Sequence, residues 1–169
     1  MKKNLREKIK KIELLVMDVD GVLTDGKLTF TEDGKEIKSF FVQDGMAINL
    51  WLKANLKLVI ISGRDSKIME MRGKELGIKE IYQKVDDKLK ILKLILKKHK
   101  LKLEDIAYIA DDLNDFPAFK FAGFKISPSN ACPEIKKISD YITKRKGGEG
   151  AVREAIELML KEKNKWNYE

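Results

Sequence analysis

The chain has 169 residues, 43% of them hydrophobic and 37% charged, with a net charge of +8. That length suits one domain with a substantial core, and the composition excludes a disordered chain. No apolar run is long enough to span a bilayer, and the start, MKKNLREKIKKIE, lacks the apolar stretch of a signal peptide.

After that basic opening, LLVMD at 14–18 is a short apolar run that ends in Asp18-Val19-Asp20, with Asp25 close behind. GKLTFTEDGKEIKSFFVQDG, residues 26–45, first alternates polar and apolar residues, then turns at Glu32-Asp33-Gly34, which predicts a β-hairpin standing over the acidic cluster as a flap. Its exposed edges also suit pairing with copies of itself. Ile48, Trp51 and Leu52 share a helical face. LKLVIIS at 56–62 is a second apolar run, ending in Ser62-Gly63-Arg64. A weaker helical face follows at Ile68, Met71 and Leu76, and a strong one at Leu89, Leu92, Ile95 and Leu96, with Lys88 opening that helix. IAYIAD at 106–111 ends in Asp111-Asp112, followed by Asn114 and Asp115; GFKIS at 123–127 is the fourth run. Gly147-Gly148-Glu149-Gly150 reads as a flexible hinge before a last helix, AVREAIELML, rather than as a phosphate loop.

Strands alternating with helices predict an α/β fold: a doubly wound, Rossmann-like parallel sheet with helices on both faces. The expected domain is single, residues 1–169, with the flap at about 26–41 and a C-terminal helix and tail at about 150–169. Trp51 and Met46, Met69 and Met71 read as core or flap packing. Cys132 reads as a small buried hydrophobe; as the single cysteine it excludes an internal disulfide and fits a reducing cytoplasm. His99, the only histidine, ends a helix in KKHK and reads as exposed and without a role. The basic charge raises nucleic acid as a partner, but the lysines are spread along helical segments and mixed with glutamate. They read as a solvated surface, with no nucleic acid and no membrane as partner.

In an open parallel sheet, ligands bind where the strands end, near a switch in strand order. Parallel neighbouring strands bring Asp18, Asp20, Ser62, Arg64 and Asp111 to one edge, where the Lys88 amine can join them. That set suits phosphoryl transfer. A carboxylate is a competent nucleophile toward phosphorus, and a second, two residues on, can serve as acid and base. Carboxylates from two strand ends can hold Mg²⁺, which prefers oxygen ligands. An isolated D-x-D, Ser-Gly or helix lysine would each read as an ordinary turn, cap or surface group; they gain meaning as a set.

The motifs D-x-D-G-V-L-T-D-G, S-G-R, a Lys and D-D-x-x-D resemble the haloacid dehalogenase superfamily of aspartyl phosphatases. The resemblance implies that Asp18 is nucleophile and Mg²⁺ ligand. Asp20 would be acid and base, with its main-chain carbonyl on the metal. Ser62 and Lys88 would hold the phosphoryl group, and Asp111 would complete the metal site. Asp112 and Asp115 would act through other groups. MDVDGVLTDG, FFVQDGMAI, IISGR, MRGKELGI, YQKVDDK, YIADDLNDFPAF and GGEGAVREA further resemble the bacterial 3-deoxy-D-manno-octulosonate 8-phosphate phosphatases of lipopolysaccharide biosynthesis, from about Leu14 to Leu160. This implies no large cap domain and a homotetramer in which neighbouring subunits complete each site. It also implies substrate contacts from Asp20, Phe41, Val42, Gln43, Asp44, Gly45, Asn49, Arg64, Arg72 and Lys88. Arg72 pairing merely with Glu75 is the plain alternative. Many relatives carry Gly in place of Ala110, and often Gly near Lys84, which marks the backbone there as unusual.

Three other readings stay open: a phosphatase of a related nine-carbon sugar acid phosphate, a phosphomutase or phosphotransferase, and a non-catalytic basic binding protein on the same fold.

Overall fold

Each apolar run forms a strand, and the order of the strands places the switch point. In a computed structural model, which describes residues 3–167, the main sheet holds β1 (Leu14–Met17), β4 (Lys57–Ile61), β5 (Glu80–Tyr82), β6 (Ile106–Ile109), β7 (Phe124–Ser127) and β8 (Tyr141–Ile142). Their order is β5-β4-β1-β6-β7-β8, and every neighbouring pair is parallel. The chain winds outward from β1 in one direction, then returns and winds outward in the other. β1 therefore lies between the two halves, with β4 and β6 as its neighbours. β5 and β8, three and two residues long, were not among the predicted runs because they are too short to stand out in sequence.

The strands are apolar throughout because both faces are covered. Alternate residues part cleanly. Leu15 and Met17 of β1 pack with α1 (Lys3–Lys11), α2 (Val42–Lys53), α3 (Lys67–Glu75) and α7 (Ala151–Glu162). Leu14 and Val16 pack with α4 (Lys88–His99), α5 (Phe116–Phe119) and α6 (Pro133–Ile138). Each fully buried large side chain contributes about 1.5–3 kcal/mol. Trp51 is one of them, and its indole N–H donates to the Lys57 carbonyl at 2.7 Å.

The flap is a separate two-stranded antiparallel ribbon, β2 (Thr29–Phe30) and β3 (Glu36–Ile37), turned through Gly34 at φ +78°. It is the predicted hairpin at the predicted place.

Several expectations are corrected. On α3 the buried positions are Met69 and Gly73, followed by Leu76, while Met71 is exposed and Ile68 half-buried; Met46 is exposed as well. The glycine at 73 shifts the packed face, since a Cβ there would lie 2.2 Å from the Ile81 side chain. His99 is largely covered, and its Nε2 lies 2.8 Å from Glu80, which also pairs with Lys98. Cys132 is half-buried ahead of α6. The final helix ends at Glu162; Lys165, beyond it, donates through Nζ to the Ala54 carbonyl. Residues 1–2 and 168–169, part of the predicted domain and tail, lie outside the described residues.

The glycine run at 147–150 is no free hinge. Gly148 N–H donates to the Val22 carbonyl, and Gly147 N–H donates to Asn130, whose amide donates back to the Gly21 carbonyl. A Cβ on Gly147 would sit 1.8 Å from that carbonyl. The glycines let two backbones meet.

Candidate active site

Asp18 is the first residue past β1, and its N–H still donates to Ile109 of β6. The carboxylate is nearly buried. One oxygen accepts from Val19 N–H at 2.7 Å, and the other lies 2.8 Å from the Lys88 ammonium. Val19 belongs to the opposite face of the sheet. The chain then turns through Gly21 at φ +81°, where the Thr24 hydroxyl accepts from the N–H groups of Gly21 and Gly26.

Lys88 occupies the first turn of α4, where the helix dipole disfavours a cation. Two carboxylates account for it. Its Nζ lies 2.8 Å from both Asp18 and Asp115. Burial pulls the lysine down, but these two carboxylates outweigh it and hold the ammonium above its usual pKa. Asp115 stands at the cap position of α5 but makes no side-chain cap. It binds Lys88 and accepts from the Tyr108 hydroxyl at 2.7 Å, so its contacts are with the site and not with the helix end.

Asp111 follows β6. Burial, then Asp18 and Asp112, push its carboxyl up to about 7. Its Oδ1 is buried with no hydrogen-bond partner, and Gly21 leaves the space beside it: a Cβ there would lie 1.9 Å from Oδ2. Oxygens of Asp18, Asp111 and Asp115 fall within 4.8 Å of one another. Three carboxylates against one ammonium leave an excess of negative charge, and the donors are all oxygen. The set fits a hard divalent cation such as Mg²⁺, held by Asp18 and Asp111. The Asp20 side chain is outside this group, which leaves its main-chain carbonyl as the implied ligand.

Asp18, Asp20, Gly26, Ser62, Gly63, Arg64, Asp111, Asp112 and Asn114 line one open cleft of about 180 Å³. The Ser62 hydroxyl accepts from Arg64 N–H, which leaves its proton for a ligand. Asp25 stays at the flap base, paired with Lys27.

Of the predicted substrate residues, Asp20 and Arg64 line this cleft and Lys88 lies beneath it. Phe41, Val42, Gln43, Asp44, Gly45, Asn49 and Arg72 do not line it. They sit on α2 and α3, which pack against the other face of the sheet. Arg72 pairs with Glu75 at 2.8 Å and lies over the Phe40 ring. Asp44 accepts from Arg153 N–H at 2.6 Å, and Gln43 lines a different, basic cavity. Lys38 was not predicted. It comes from the flap, and its buried ammonium binds Asp20.

A family model for haloacid dehalogenase-like hydrolases matches residues 65–156. The chain belongs to that family. It is 40% identical over 153 residues to 3-deoxy-D-manno-octulosonate 8-phosphate phosphatase KdsC of Salmonella typhi, covering 90% of this chain and 81% of that one. The corresponding Escherichia coli K12 protein is 39% identical over the same coverage. Among solved structures, the Moraxella catarrhalis phosphatase of that name, in complex with magnesium, phosphate and KDO, is 45% identical with a TM-score of 0.94, covering 97% of this chain and 94% of that one. The cobalt-bound Haemophilus influenzae enzyme is 36% identical, with a TM-score of 0.89 and coverage of 93% and 92%.

Proposed function

We propose that the chain is a Mg²⁺-dependent phosphomonoesterase that hydrolyses 3-deoxy-D-manno-octulosonate 8-phosphate to the free sugar acid and phosphate, a step of lipopolysaccharide synthesis. The observation that carries this reading is the Asp18 carboxylate at a strand end, 2.8 Å from a buried ammonium and beside the unpartnered Asp111 oxygen, in an open cleft.

In this reading an Asp18 oxygen attacks phosphorus, and the bond from phosphorus to the sugar oxygen breaks. The leaving oxygen takes the proton of Asp20. Asp20, now a carboxylate, draws a proton from water as the water attacks the phosphoaspartate, and Asp18 is released with free phosphate. The Ser62 hydroxyl and Lys88 ammonium hold the phosphoryl oxygens, where transition-state charge collects. Bound Mg²⁺ supplies positive charge that lets the anionic nucleophile and the anionic phosphate meet. The flap is too small to keep water out, which favours hydrolysis over transfer to a second sugar.

Arg64 suits the carboxylate of a sugar acid, since Arg binds carboxylates in two-pronged fashion. Phe41, Val42, Gln43, Asn49 and Arg72 miss the cleft of their own chain, so we assign them to a neighbour's site in a homotetramer; Asp44 and Gly45 are buried behind that surface. Exposed Val42, Met46 and Met71 in the same region suit such contacts. Among the described residues no helix is long and apolar enough to cross a membrane; with a single cysteine, we place the enzyme in the cytoplasm.

A panel of phosphorylated sugar acids, ranked by kcat/KM with and without Mg²⁺, tests the assignment. The eight-carbon substrate is expected to rank first and to need the metal; first rank for a nine-carbon acid phosphate would move the substrate. Asp18→Asn is expected to abolish turnover with the fold retained. Near-normal activity in that variant would sink the mechanism.

A further inference from the structure

The flap turns a charged face inward. Alternation continued one residue past β3 puts Glu36 and Lys38 on one side and Ile37 on the other. Ile37 is exposed, whereas the Lys38 side chain is only 3% exposed. That is an unusual place for a lysine, which ordinarily keeps its ammonium in water and is costly to bury unpaired. Its Nζ binds Asp20 Oδ1 and lies 3.8 Å from Glu36. Arg64 closes the ring, with Nη2 2.7 Å from Glu36 and Nε 3.5 Å from Asp20 Oδ2. Glu36 also accepts from the Ser66 hydroxyl at 3.4 Å, which fixes the flap to the start of α3.

The two cations differ in what they can reach. Arg64 lines the cleft and is 42% exposed, so it can meet the substrate. Lys38 does not line the cleft, and its one close partner is Asp20. Asp20 itself lies past the strand end, ahead of a glycine at positive φ, and Lys38 is its closest side-chain partner. We infer that Lys38 is a positioning residue for the acid and base of the reaction: it clamps Asp20 Oδ1 and so presents Oδ2 to the leaving oxygen and then to water. Oδ2 is free for this, because the Arg64 contact at 3.5 Å is longer than a good hydrogen bond. Fixed aim of a proton donor contributes through orientation, and a loose carboxylate forfeits much of it. The flap would thus carry part of the chemistry as well as covering it.

This rests on the phosphatase reading above, and the test separates the two. Lys38→Met and Lys38→Arg are compared with the wild type on 3-deoxy-D-manno-octulosonate 8-phosphate and on p-nitrophenyl phosphate, with Mg²⁺ present. The sugar oxygen is a poor leaving group and needs the Asp20 proton; nitrophenolate leaves without one. Because kcat/KM reports steps up to the first irreversible one, it isolates phosphoryl transfer to Asp18 from the later attack of water. For Lys38→Met, kcat/KM on the sugar acid phosphate is expected to fall about tenfold or more, and on the aryl phosphate by less than about threefold. Lys38→Arg is expected to recover most of the loss. Melting temperature is followed for each variant, and Lys38→Gln replaces Lys38→Met if the latter does not fold. Equal losses on both substrates, or none on either, would overturn the role of Lys38 while leaving the phosphatase reading intact. A wild type that cleaves neither substrate would overturn the phosphatase reading itself.

Discussion

At Lys84 a side chain occupies a backbone conformation suited to glycine, with φ +53°. The turn is worth holding: Lys84 N–H donates to the Arg64 carbonyl at 3.3 Å and Val85 N–H to that of Ser62 at 3.1 Å, so it ties two arms of the cleft together. A left-handed residue with a Cβ costs about 1–2 kcal/mol. The Lys84–Asp65 pair at 2.6 Å is exposed on both sides and offsets little of that. Lys84→Gly is therefore expected to raise the melting temperature by about 2–4 °C, measured by calorimetry, with kcat unchanged. A fall in melting temperature would mean that the ion pair outweighs the strain. The unusual backbone was legible in sequence only through the glycine that the resembling family often carries near this position. Asp18, Asp20, Ser62 and Asp111 were legible because each follows an apolar run and the strands are parallel. Lys38 was not: alternation pairs it with Glu36, but nothing in a two-residue strand says which side faces the site. Asp115 was ambiguous, because Asn-Asp-Phe-Pro is a sound helix start and only the fold brings the carboxylate to Lys88.

At the scale of elements, α2 and α7 are joined through a charge. Gly150, at the N-cap of α7, has no side chain with which to cap it. Asp44 of α2 does so from across the interface, accepting from Arg153 N–H at 2.6 Å. Its other oxygen is buried without a partner. Burial pushes Asp44 up from 3.8 to about 6, against the pull of the Arg153 and Gly150 N–H groups and of Arg145 and Arg153. The folded state thus holds a proton that the unfolded chain releases, and this group's contribution to stability falls as pH rises from about 4 to about 6. Asp44→Asn cannot titrate. Between pH 4 and pH 7 the stability of the wild type relative to that variant is expected to drop by about 3 kcal/mol or less, measured by denaturant melts at each pH. A pH-independent difference would show that Asp44 is not pushed up in the fold. The sequence marked Asp44 as a substrate residue; its place as a cap depends on a helix more than a hundred residues later, which no local pattern reveals.

For the whole molecule, the phosphoryl chemistry proposed above draws on one cleft, whereas several of the residues proposed for recognition of the sugar acid do not line it. Asp18, Asp20, Ser62, Lys88 and Asp111 converge within one subunit because the sheet order brings β1, β4 and β6 side by side. Arg72 and residues 41–43 lie outside that convergence, close to exposed apolar side chains: Val42 is 79% exposed and Met71 72%. If copies meet through this surface, breaking the assembly removes recognition and spares chemistry. Met46→Glu with Met71→Glu puts two charges on the apolar surface, away from the cleft. The wild type is expected to have the solution mass of four chains by light scattering, and the double variant a smaller one. Its kcat/KM on the sugar acid phosphate is expected to fall by more than about tenfold, while p-nitrophenyl phosphate, which offers no carboxylate to a neighbour's arginine, is still cleaved at a rate near that of the wild type. A wild type with the mass of one chain and full activity on the sugar acid phosphate would refute the shared site, and would require residues 41–43 and Arg72 to act on their own chain through a movement of both α2 and α3.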